Sequence, residues 1–434
     1  MKRVLCFLSV AFLFIAGCAD MDFCNDFTDE DKDKNPIDSV ISFNPNDDSA
    51  STLISFESLV PWTLKDAALI PGWMEVYPQS GETGGDITIQ MTGANATNKT
   101  LEHLLTFIAL DGAKLTIMVR QDALDINWHK KGHKKFTLST RNELAGLAYL
   151  VNNGIDNFKE KTITLTGSID LTPWSTGKGW IPIGHSSSRP FVGSFDGDGY
   201  LVSNLCVNNP DLDYVGLFGY FRGGTIKNLG VTDVKITGGN MVGSIAGLLD
   251  GSIANSFATG MVKGSIFVGG LAGWVGGSIT NSYTTTSVNG SSYVGGLAGS
   301  ATLSSVSDCY AAGAVNGKEV VGGVVGTMHN SSVANCVALK SSLSGLSEVR
   351  RVVGATTGTN TLNKNMARDG LTGYDTDERN GESVTDADLH TKYVYEVRLG
   401  WEFGNDDAKP WKWASPFPIL YWQTTVPAQN VNTQ

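Results

Sequence analysis

The sequence predicts an all-β protein: a small antiparallel β-sandwich, then a right-handed parallel β-solenoid with a short N-terminal capping helix and a C-terminal cap. The first observation is a repeat of 26 to 27 residues, which opens at Val215, Val242, Val268, Val294 and Val321. The second is an apolar residue two positions before Asn or Asp in each repeat, as in Ile253 with Asn255. The third is that each unit is rich in Gly, Ser, Thr and Val, which predicts short strands and tight turns. Two markers with one spacing indicate a structural repeat.

The small size of the repeat predicts that its copies stack. One unit cannot bury its apolar side alone, whereas stacked units can, because each strand pairs with its equivalent in the next turn about 4.8 Å away. Parallel crossovers are right-handed in almost all proteins, so a right-handed coil of roughly seven or eight turns is expected. Equivalent residues then form ladders, and the simplest inward ladder is Ile226, Ile253, Ile279, Val306 and Val333.

Residues 1–17 are predicted to be a lipoprotein signal peptide. Two basic residues precede an apolar run from Val4 to Ile15, which is shorter than the roughly 18 apolar residues that a membrane-spanning helix needs. The ending Ile-Ala-Gly-Cys at 15–18 resembles the cleavage box of bacterial lipoproteins. This resemblance implies lipidation of Cys18, a lipid anchor as the sole membrane attachment, and an outer-membrane, surface-exposed location.

Two segments precede the repeats. Residues 18–38 are rich in Asp and too polar to fold, which predicts a solvated tether. Residues 39–122 show short runs with period-two alternation split by Pro-Gly and Gly-Gly turns, a pattern typical of a small antiparallel sandwich. The order of Trp73, a turn at 78–81 and a late strand ending at Gln121 resembles the BACON domain. That resemblance implies either carbohydrate binding or a spacer role, and both stay open.

The solenoid is expected to have a cap at each end. Residues 123–136, with the basic run HKKGHKKF, are predicted to be a solvated linker, and the solenoid with its first cap is expected at 137–362. Thr140 followed by Glu143 is a capping-box signature, so a helix should cover the open strand edges of the first turns. Residues 363–434 lose the repeat and contain clustered tryptophans. A compact C-terminal cap and tail is the simpler interpretation, and a sugar-binding aromatic site is the alternative.

The repeats also resemble a known motif. The Gly-Leu-x-Gly core of "VGGLAG" at 268–273 and 294–299, with its weaker copies, is similar to the GLUG repeat over residues 202–343. The preceding stretch from 142 to 205 resembles the segment that usually leads into such arrays. GLUG repeats occur in bacterial surface proteins, including adhesins and some proteases. The resemblance therefore implies an architecture and not a reaction.

Charge and cysteine content narrow the functional classes. The formal net charge is -11, so nucleic-acid binding is not expected, because phosphate recognition needs a basic surface.

Cys309 and Cys336 follow the ladder Asp and Asn of consecutive turns. In-register side chains point the same way, which keeps the Cβ atoms too far apart for a relaxed disulfide. Two buried free thiols are favoured, and a disulfide is the alternative.

The repeats offer no pair of catalytic carboxylates. A glycosidase needs two carboxylates that face one groove about 5 to 10 Å apart. The acids between residues 221 and 345 are Asp233, Asp250, Asp308 and Glu319, and each falls at a different phase of the repeat. The Asp pair in "FDGDGY" at 195–200 lacks the further ligands of a calcium loop. We therefore expect no enzyme activity, no metal and no cofactor.

The candidate binding residues form an aromatic ladder. Phe257, Tyr283 and Tyr310 each follow the ladder Asn or Asp by two residues. Strict strand alternation would place these rings inside, stacked in the core. If the chain turns a corner at that Asn or Asp, the rings instead face outward as a carbohydrate-binding strip, extended by Trp274. Both interpretations stay open at this stage.

These observations predict a lipid-anchored cell-surface protein that mediates adhesion or glycan binding through its solenoid. The expected partner is a cell-surface, dietary or host glycan, or a protein ligand, and the chain is expected to be monomeric. One alternative is a polysaccharide-degrading enzyme or peptidase built on a β-helix scaffold. The other is a structural spacer without a ligand of its own.

Overall fold

A computed structural model describes residues 37–46, 51–95, 97, 99–175, 178–339, 342–371 and 377–424. The chain divides into two compact units, one up to Ala123 and one from Leu124 onward. The predicted signal peptide, Cys18 and most of the acidic tether lie outside the described residues. Within the described ranges, no helix is both long and apolar enough to cross a membrane.

The first unit is a small β-sandwich. Its larger sheet contains, in spatial order, Ser39–Phe43, Lys114–Gln121, Leu101–Ala109, Trp62–Leu64 and Ser80–Gly81. Its smaller sheet contains Ser51–Phe56, Gly85–Met91 and Met74–Tyr77, and a 3-10 turn lies at Ala67–Leu69. Neighbouring strands are antiparallel, except for the parallel first pair of the larger sheet. Alternate residues such as Ile87 and Ile89 are fully buried between the sheets, as the period-two pattern predicts.

The second unit contains the predicted capping helix, Arg141–Asn152, which follows the strand Lys135–Leu138. That strand begins within the predicted linker, and Leu124 and Phe136 of this segment are buried rather than solvated. The Thr140 hydroxyl accepts a hydrogen bond from the Glu143 N–H, and the Glu143 carboxylate accepts one from the Thr140 N–H, so the capping box is complete. The helix packs so closely that a Cβ at Gly146 would lie 2.0 Å from the Asp125 carbonyl oxygen. Its apolar face joins the core at the start of the solenoid.

The solenoid contains about eight turns and three parallel sheets. The main sheet contains, in stacking order, Lys135–Leu138, Thr162–Leu165, Ser194–Asp196, Phe218–Lys227, Ala246–Ala254, Ala272–Val275, Ala298–Thr302, Val325–His329 and Val353–Thr357, with companion strands Ser278–Thr280, Ser305–Ser307, Ser332–Ala334 and Thr361–Asn363. The second sheet contains Ile169–Asp170, Leu201–Ser203, Gly230–Thr237, Phe257–Lys263, Tyr283–Thr284, Tyr310–Ala311, Val337–Ala338, Met366–Arg368 and Glu382–Val384, with companion strands Cys206–Asn208, Ser287–Asn289, Val315–Asn316 and Leu343–Ser344. The narrow sheet contains Ile266–Gly269, Ser292–Gly295, Glu319–Gly322 and Ser347–Arg350. A 3-10 turn at Thr172–Trp174 lies in the first turns.

The predicted inward ladder is confirmed. Equivalent residues pair in register from Ile226 to Ile253, Ile279, Val306, Val333 and Leu362. The first five of these side chains are fully buried. Stacking in register keeps like residues in contact, and this gives the solenoid one continuous apolar core.

The two cysteines of consecutive turns are free thiols, as the in-register geometry favours. Both Cys309 and Cys336 are completely buried. Burial raises the pKa of the Cys309 thiol well above its usual value, so the reactive thiolate form is disfavoured.

The C-terminal segment differs from the cap expected at the far end of the solenoid. A 3-10 turn at Glu378–Asn380 and the strand Glu382–Val384 do close that end, the strand pairing with Met366–Arg368. The chain then folds back along the side of the solenoid through Asp386–Leu389, a π-helical turn at Val394–Arg398 and an antiparallel sheet of Phe403–Asp406, Lys409–Ala414 and Phe417–Leu420. We call residues 386–424 the C-terminal clasp. Its apolar side chains pack against the second sheet.

Candidate functional site

The predicted aromatic ladder forms a regular stack outside the solenoid core. Asn255, Asn281 and Asp308 adopt left-handed backbone conformations, with φ of 48°, 47° and 56°. The chain therefore turns the corner that the outward-facing interpretation requires. The Phe257 and Tyr283 rings stack with centroids 5.1 Å apart, and the Tyr283 and Tyr310 rings stack at 4.6 Å.

These three rings are nevertheless unavailable to a ligand, because the C-terminal clasp covers them. Their exposed fractions are 2% for Phe257 and 0% for both tyrosines. The Tyr310 hydroxyl donates to the Pro418 carbonyl at 2.9 Å, and the Tyr283 hydroxyl hydrogen-bonds with the Gln423 side chain. The structure thus confirms that the rings are stacked and buried, as the core interpretation expects, and corrects their position. The rings point outward from the solenoid and form a second core under the clasp, so they are not an exposed strip.

The clasp is fixed to the same corners. The Trp422 indole N–H donates to the Asn255 carbonyl at 3.1 Å, and the Trp401 indole N–H donates to the Asn335 carbonyl at 3.0 Å. Lys227 forms an ion pair with Asp407 of the clasp at 3.1 Å. The clustered tryptophans of the C-terminal segment therefore have a packing role, as the simpler interpretation of that segment predicts.

Trp274 lies elsewhere, on the outer face of the main sheet. It pairs in register with Leu248 in the preceding turn and Ser300 in the following turn. Tyr220 occupies the equivalent position one turn before Leu248. Tyr220, Leu248 and Trp274 are each half-buried and form an outer row that the clasp core does not include.

A second outward row occupies the residues immediately before the repeat valines. Tyr214, Met241, Phe267, Tyr293 and Val320 all have left-handed backbones, with φ between 53° and 58°. Each of these side chains is half-buried. Left-handed conformations are uncommon for bulky residues, and each costs of the order of 1–3 kcal/mol. The strain lets these side chains point outward while Val215, Val242, Val268 and their equivalents stay in the core.

The glycines of the repeat make room for this corner. A Cβ at Gly273 would lie 2.4 Å from the backbone of Met241 and Val242, and a Cβ at Gly299 would lie 2.4 Å from the backbone of Phe267 and Val268. The last glycine of each "GLAG" is therefore required by the close approach of the preceding turn. The Phe267 and Tyr293 rings stack there, with centroids 5.0 Å apart and an interplanar angle of 18°.

The two rows meet at their first turn, where the Tyr214 and Tyr220 rings stack at 6.5 Å. The Tyr220 hydroxyl donates to Asp250 at 3.4 Å, and burial together with the nearby Asp250 carboxylate raises the pKa of Tyr220. We call the combined surface the aromatic ridge; it comprises Tyr214, Tyr220, Met241, Leu248, Phe267, Trp274 and Tyr293. The ridge follows the stacking direction of the solenoid.

A groove of about 240 Å³ lies within the ridge. It is lined by Asp213, Tyr214, Asn240, Met241, Ile266 and Phe267. The Asp213 carboxylate accepts a hydrogen bond from the Asn240 N–H of the next turn at 2.8 Å, which fixes its orientation. The groove thus combines aromatic faces with an oriented carboxylate, a pattern typical of ligand sites with a few placed polar groups.

A second groove, of about 390 Å³, lies at the start of the capping helix and includes Thr140, Arg141 and Asp170 in its lining. The Glu143 carboxylate already accepts hydrogen bonds from the Ser139 and Thr140 N–H groups. The Ser139 and Thr140 N–H groups of this groove are therefore already used in capping the helix. Over the part of the chain that the structure describes, no group of three or more His, Cys, Asp or Glu residues is arranged to hold a metal ion.

The sequence predicts Trp274 as a candidate binding residue, which stays a prediction, but the corner row of the ridge was not predicted. The signal was available, since a bulky residue directly precedes four of the repeat valines, at 214, 241, 267 and 293. The sequence pattern predicts that such a residue belongs to an ordinary strand, and only the structure shows its left-handed backbone. Alternation alone gives it no special direction.

The fold and these rows define a parallel β-solenoid. The GLUG motif matches residues 290–316. A crystal structure of a candidate immunoglobulin A1 protease from Bacteroides ovatus is similar with a TM-score of 0.54 and 19% identity, over 67% of this chain and 93% of that one. At that identity the likeness shows the fold alone.

Two curated proteins are similar in sequence. Halomucin from Haloquadratum walsbyi is 31% identical over 219 residues, which is 47% of this chain and 2% of halomucin. A candidate Gly-rich membrane protein from Evansella cellulosilytica is 37% identical over 97 residues, or 21% of this chain and 11% of that protein. The similarity therefore spans a small part of each relative's length.

Proposed function

We propose that this protein is a lipid-anchored cell-surface protein that binds glycans through the aromatic ridge and so mediates adhesion or glycan capture. The observation that carries the proposal is the row of half-buried rings held outward on left-handed backbone, with Phe267 stacked on Tyr293. Aromatic rings combine a large apolar face with a defined geometry, which suits the flat face of a sugar ring.

The location belongs to the same proposal. An apolar leader ending in Cys18, followed by an acidic tether, supports attachment to the outer membrane through acyl chains. In this arrangement the first unit acts as a spacer that raises the solenoid above the membrane. The Evansella relative is a candidate membrane protein, which is compatible with a place in the cell envelope.

The test is a glycan array probed with the soluble form that lacks residues 1–38. We expect binding that is lost in Tyr293→Ala and Phe267→Ala, because each change removes one half of the ring stack. Leu303→Ala is the matched control, since Leu303 is 72% exposed and also left-handed, with φ 52°, but lies outside the ridge. Loss of binding in the ridge variants together with a normal Leu303→Ala would support the proposal.

Two outcomes of this experiment count against the proposal. Equal binding by wild type and both ridge variants would place the glycan site elsewhere, and no binding to any glycan would favour the spacer alternative. The same samples report on the enzymatic alternative. We expect neither new reducing ends nor unsaturated products, because Asp233, Asp250 and Asp308 fall at different phases of the repeat.

A further inference from the structure

The groove of the aromatic ridge has a distinctive charge. Of its six lining residues, Asp213 alone has an acidic or basic side chain, and the others are Tyr214, Asn240, Met241, Ile266 and Phe267. The Asp213 side chain is exposed, and the hydrogen bond from Asn240 holds it in place. The carboxylate is therefore oriented in advance and still accessible to a ligand.

The rest of the ridge adds a second negative charge. Asp250 lies beside the outer row and accepts the Tyr220 hydroxyl at 3.4 Å. Arg222 is a cation near the outer row: its Cα pairs with Asp250 in the next turn, and its positive charge acts on Tyr220. A ligand in the groove itself meets aromatic side chains and the exposed Asp213 carboxylate, and no cation is among the groove's lining residues.

We infer that the ridge selects neutral glycans, and that a sugar held in the groove donates its hydroxyls to the Asp213 carboxylate. A carboxylate accepts hydroxyl donors strongly, because hydrogen bonds to charged groups are about twice as strong as neutral ones. It repels the carboxylate of a uronic acid or the sulfate of a sulfated sugar. The inference rests on the proposed function and adds the chemical class of the ligand.

The ridge also sets the direction in which a bound glycan runs. Its residues recur once per turn, at the roughly 4.8 Å spacing of paired strands, and the Phe267 and Tyr293 rings lie 5.0 Å apart along the stack. A glycan that contacts several of them must run along the solenoid axis. Longer oligosaccharides should therefore bind more tightly, up to the length of the ridge from Tyr214 to Tyr293.

The test compares neutral and uronate hexasaccharides by calorimetry on the soluble form that lacks residues 1–38. The wild type should bind a neutral hexasaccharide at least about tenfold more tightly than a uronate hexasaccharide of equal length. Asp213→Asn should weaken neutral binding about tenfold, because a charged acceptor is replaced by a neutral one. Asp213→Lys should lose neutral binding and improve uronate binding. Asp211→Asn, two residues away and outside the groove, should match the wild type.

The outcomes separate this inference from the proposed function. Tighter binding of the uronate by the wild type overturns the neutral selectivity and leaves glycan binding by the ridge in place. If Phe267→Ala abolishes binding while Asp213→Asn changes nothing, the role of the carboxylate is overturned. If no ridge variant affects any glycan, the proposed function itself fails. Thermal unfolding checks each variant, and Asp213→Asn keeps an oxygen acceptor for the Asn240 N–H, so its stability should be unchanged.

Discussion

Left-handed backbone occurs at two corners of each turn, and the residues that adopt it differ in kind. At one corner they are Asn255, Asn281 and Asp308, residue types that tolerate this conformation. Asp308 there accepts a hydrogen bond from Asn335 of the next turn at 3.0 Å, so its carboxylate is paired within the ladder. At the other corner the residues are large, and most are apolar or aromatic, as at Phe267 and Tyr293, although Glu348 occupies it in the last of these turns. Residue type explains the left-handed conformation at the first corner. At the second corner, packing on both sides of the residue imposes it.

The Asn corner could be predicted from the sequence, but the segment that covers the ring ladder could not. Turn-favouring residues are a local signal, so the outward direction of Tyr283 is accessible from its neighbours. Its covering group is Gln423, 140 residues later. No periodicity connects the two residues, because the repeat has ended before the clasp begins.

Substitution of Tyr283 measures how much the second core under the clasp contributes to the free energy of unfolding. Tyr283→Ala removes a fully buried ring between two stacked neighbours and should lower the free energy of unfolding by about 3 to 5 kcal/mol. Tyr283→Phe keeps the stack and loses only the hydroxyl contact with Gln423, so it should cost about 1 kcal/mol. Denaturant unfolding of the soluble form measures both. A Tyr283→Ala variant as stable as wild type would contradict the buried stack, and glycan binding should change in neither variant.

Two terminal elements differ in how far local sequence determined them. The capping helix was accessible because its capping box spans four residues, from Thr140 to Glu143, and its apolar face has helical spacing. The clasp was not, since its strands pair with each other while its side chains contact turns of the solenoid far away in sequence. A segment rich in tryptophan predicts a compact structure, but only the solenoid surface determines where it packs.

Trp411 tests how strongly the clasp is held. It is fully buried, stacks on Trp401 at 4.5 Å and lies 6.0 Å from Tyr310 between ring centroids. Trp411→Ala should destabilise by about 3 to 5 kcal/mol and speed hydrogen exchange in the strands that carry the ring ladder. Trp411→Phe should cost less, because the buried indole N–H has no hydrogen-bond partner to lose.

Trp413 is the control for this experiment. It lies two residues later on the same strand but is only half-buried, so Trp413→Ala should have the smaller effect. Equal exchange rates in Trp411→Ala and wild type would indicate that the ion pair of Lys227 with Asp407 and the other clasp contacts suffice without this ring.

At the scale of the whole molecule, the repeat made the architecture predictable and the surface unpredictable. A ladder residue such as Ile279 has the same environment in every turn, so one inference about its direction applies to the whole array. The ridge depends instead on differences between turns, since Trp274 aligns with Leu248 before it and Ser300 after it. Function in a repeat protein lies in such departures from the repeat. Periodicity cannot reveal them, because it records only what is shared.

The placement of the molecule on the membrane rests on Cys18, and substitution of this residue tests it. If acyl chains are the only membrane attachment, Cys18→Ala should move the protein from the membrane fraction to the soluble fraction of expressing cells. Cys24→Ala is the matched control, because it removes a cysteine six residues later in the acidic tether and leaves the cleavage box intact. It should remain in the membrane fraction and should incorporate labelled fatty acid as the wild type does.

Both changes lie before the first strand of the β-sandwich, Ser39–Phe43, so the melting temperature and the glycan affinity of the released Cys18→Ala protein should equal those of the soluble form. Membrane retention of Cys18→Ala, or entry of labelled fatty acid into it, would contradict the lipid anchor. Release of Cys24→Ala as well would indicate that the tether, rather than the acyl chains, holds the protein at the membrane. Release of Cys18→Ala alone would leave acyl chains as the attachment and the solenoid free to present its ridge to glycans outside the cell.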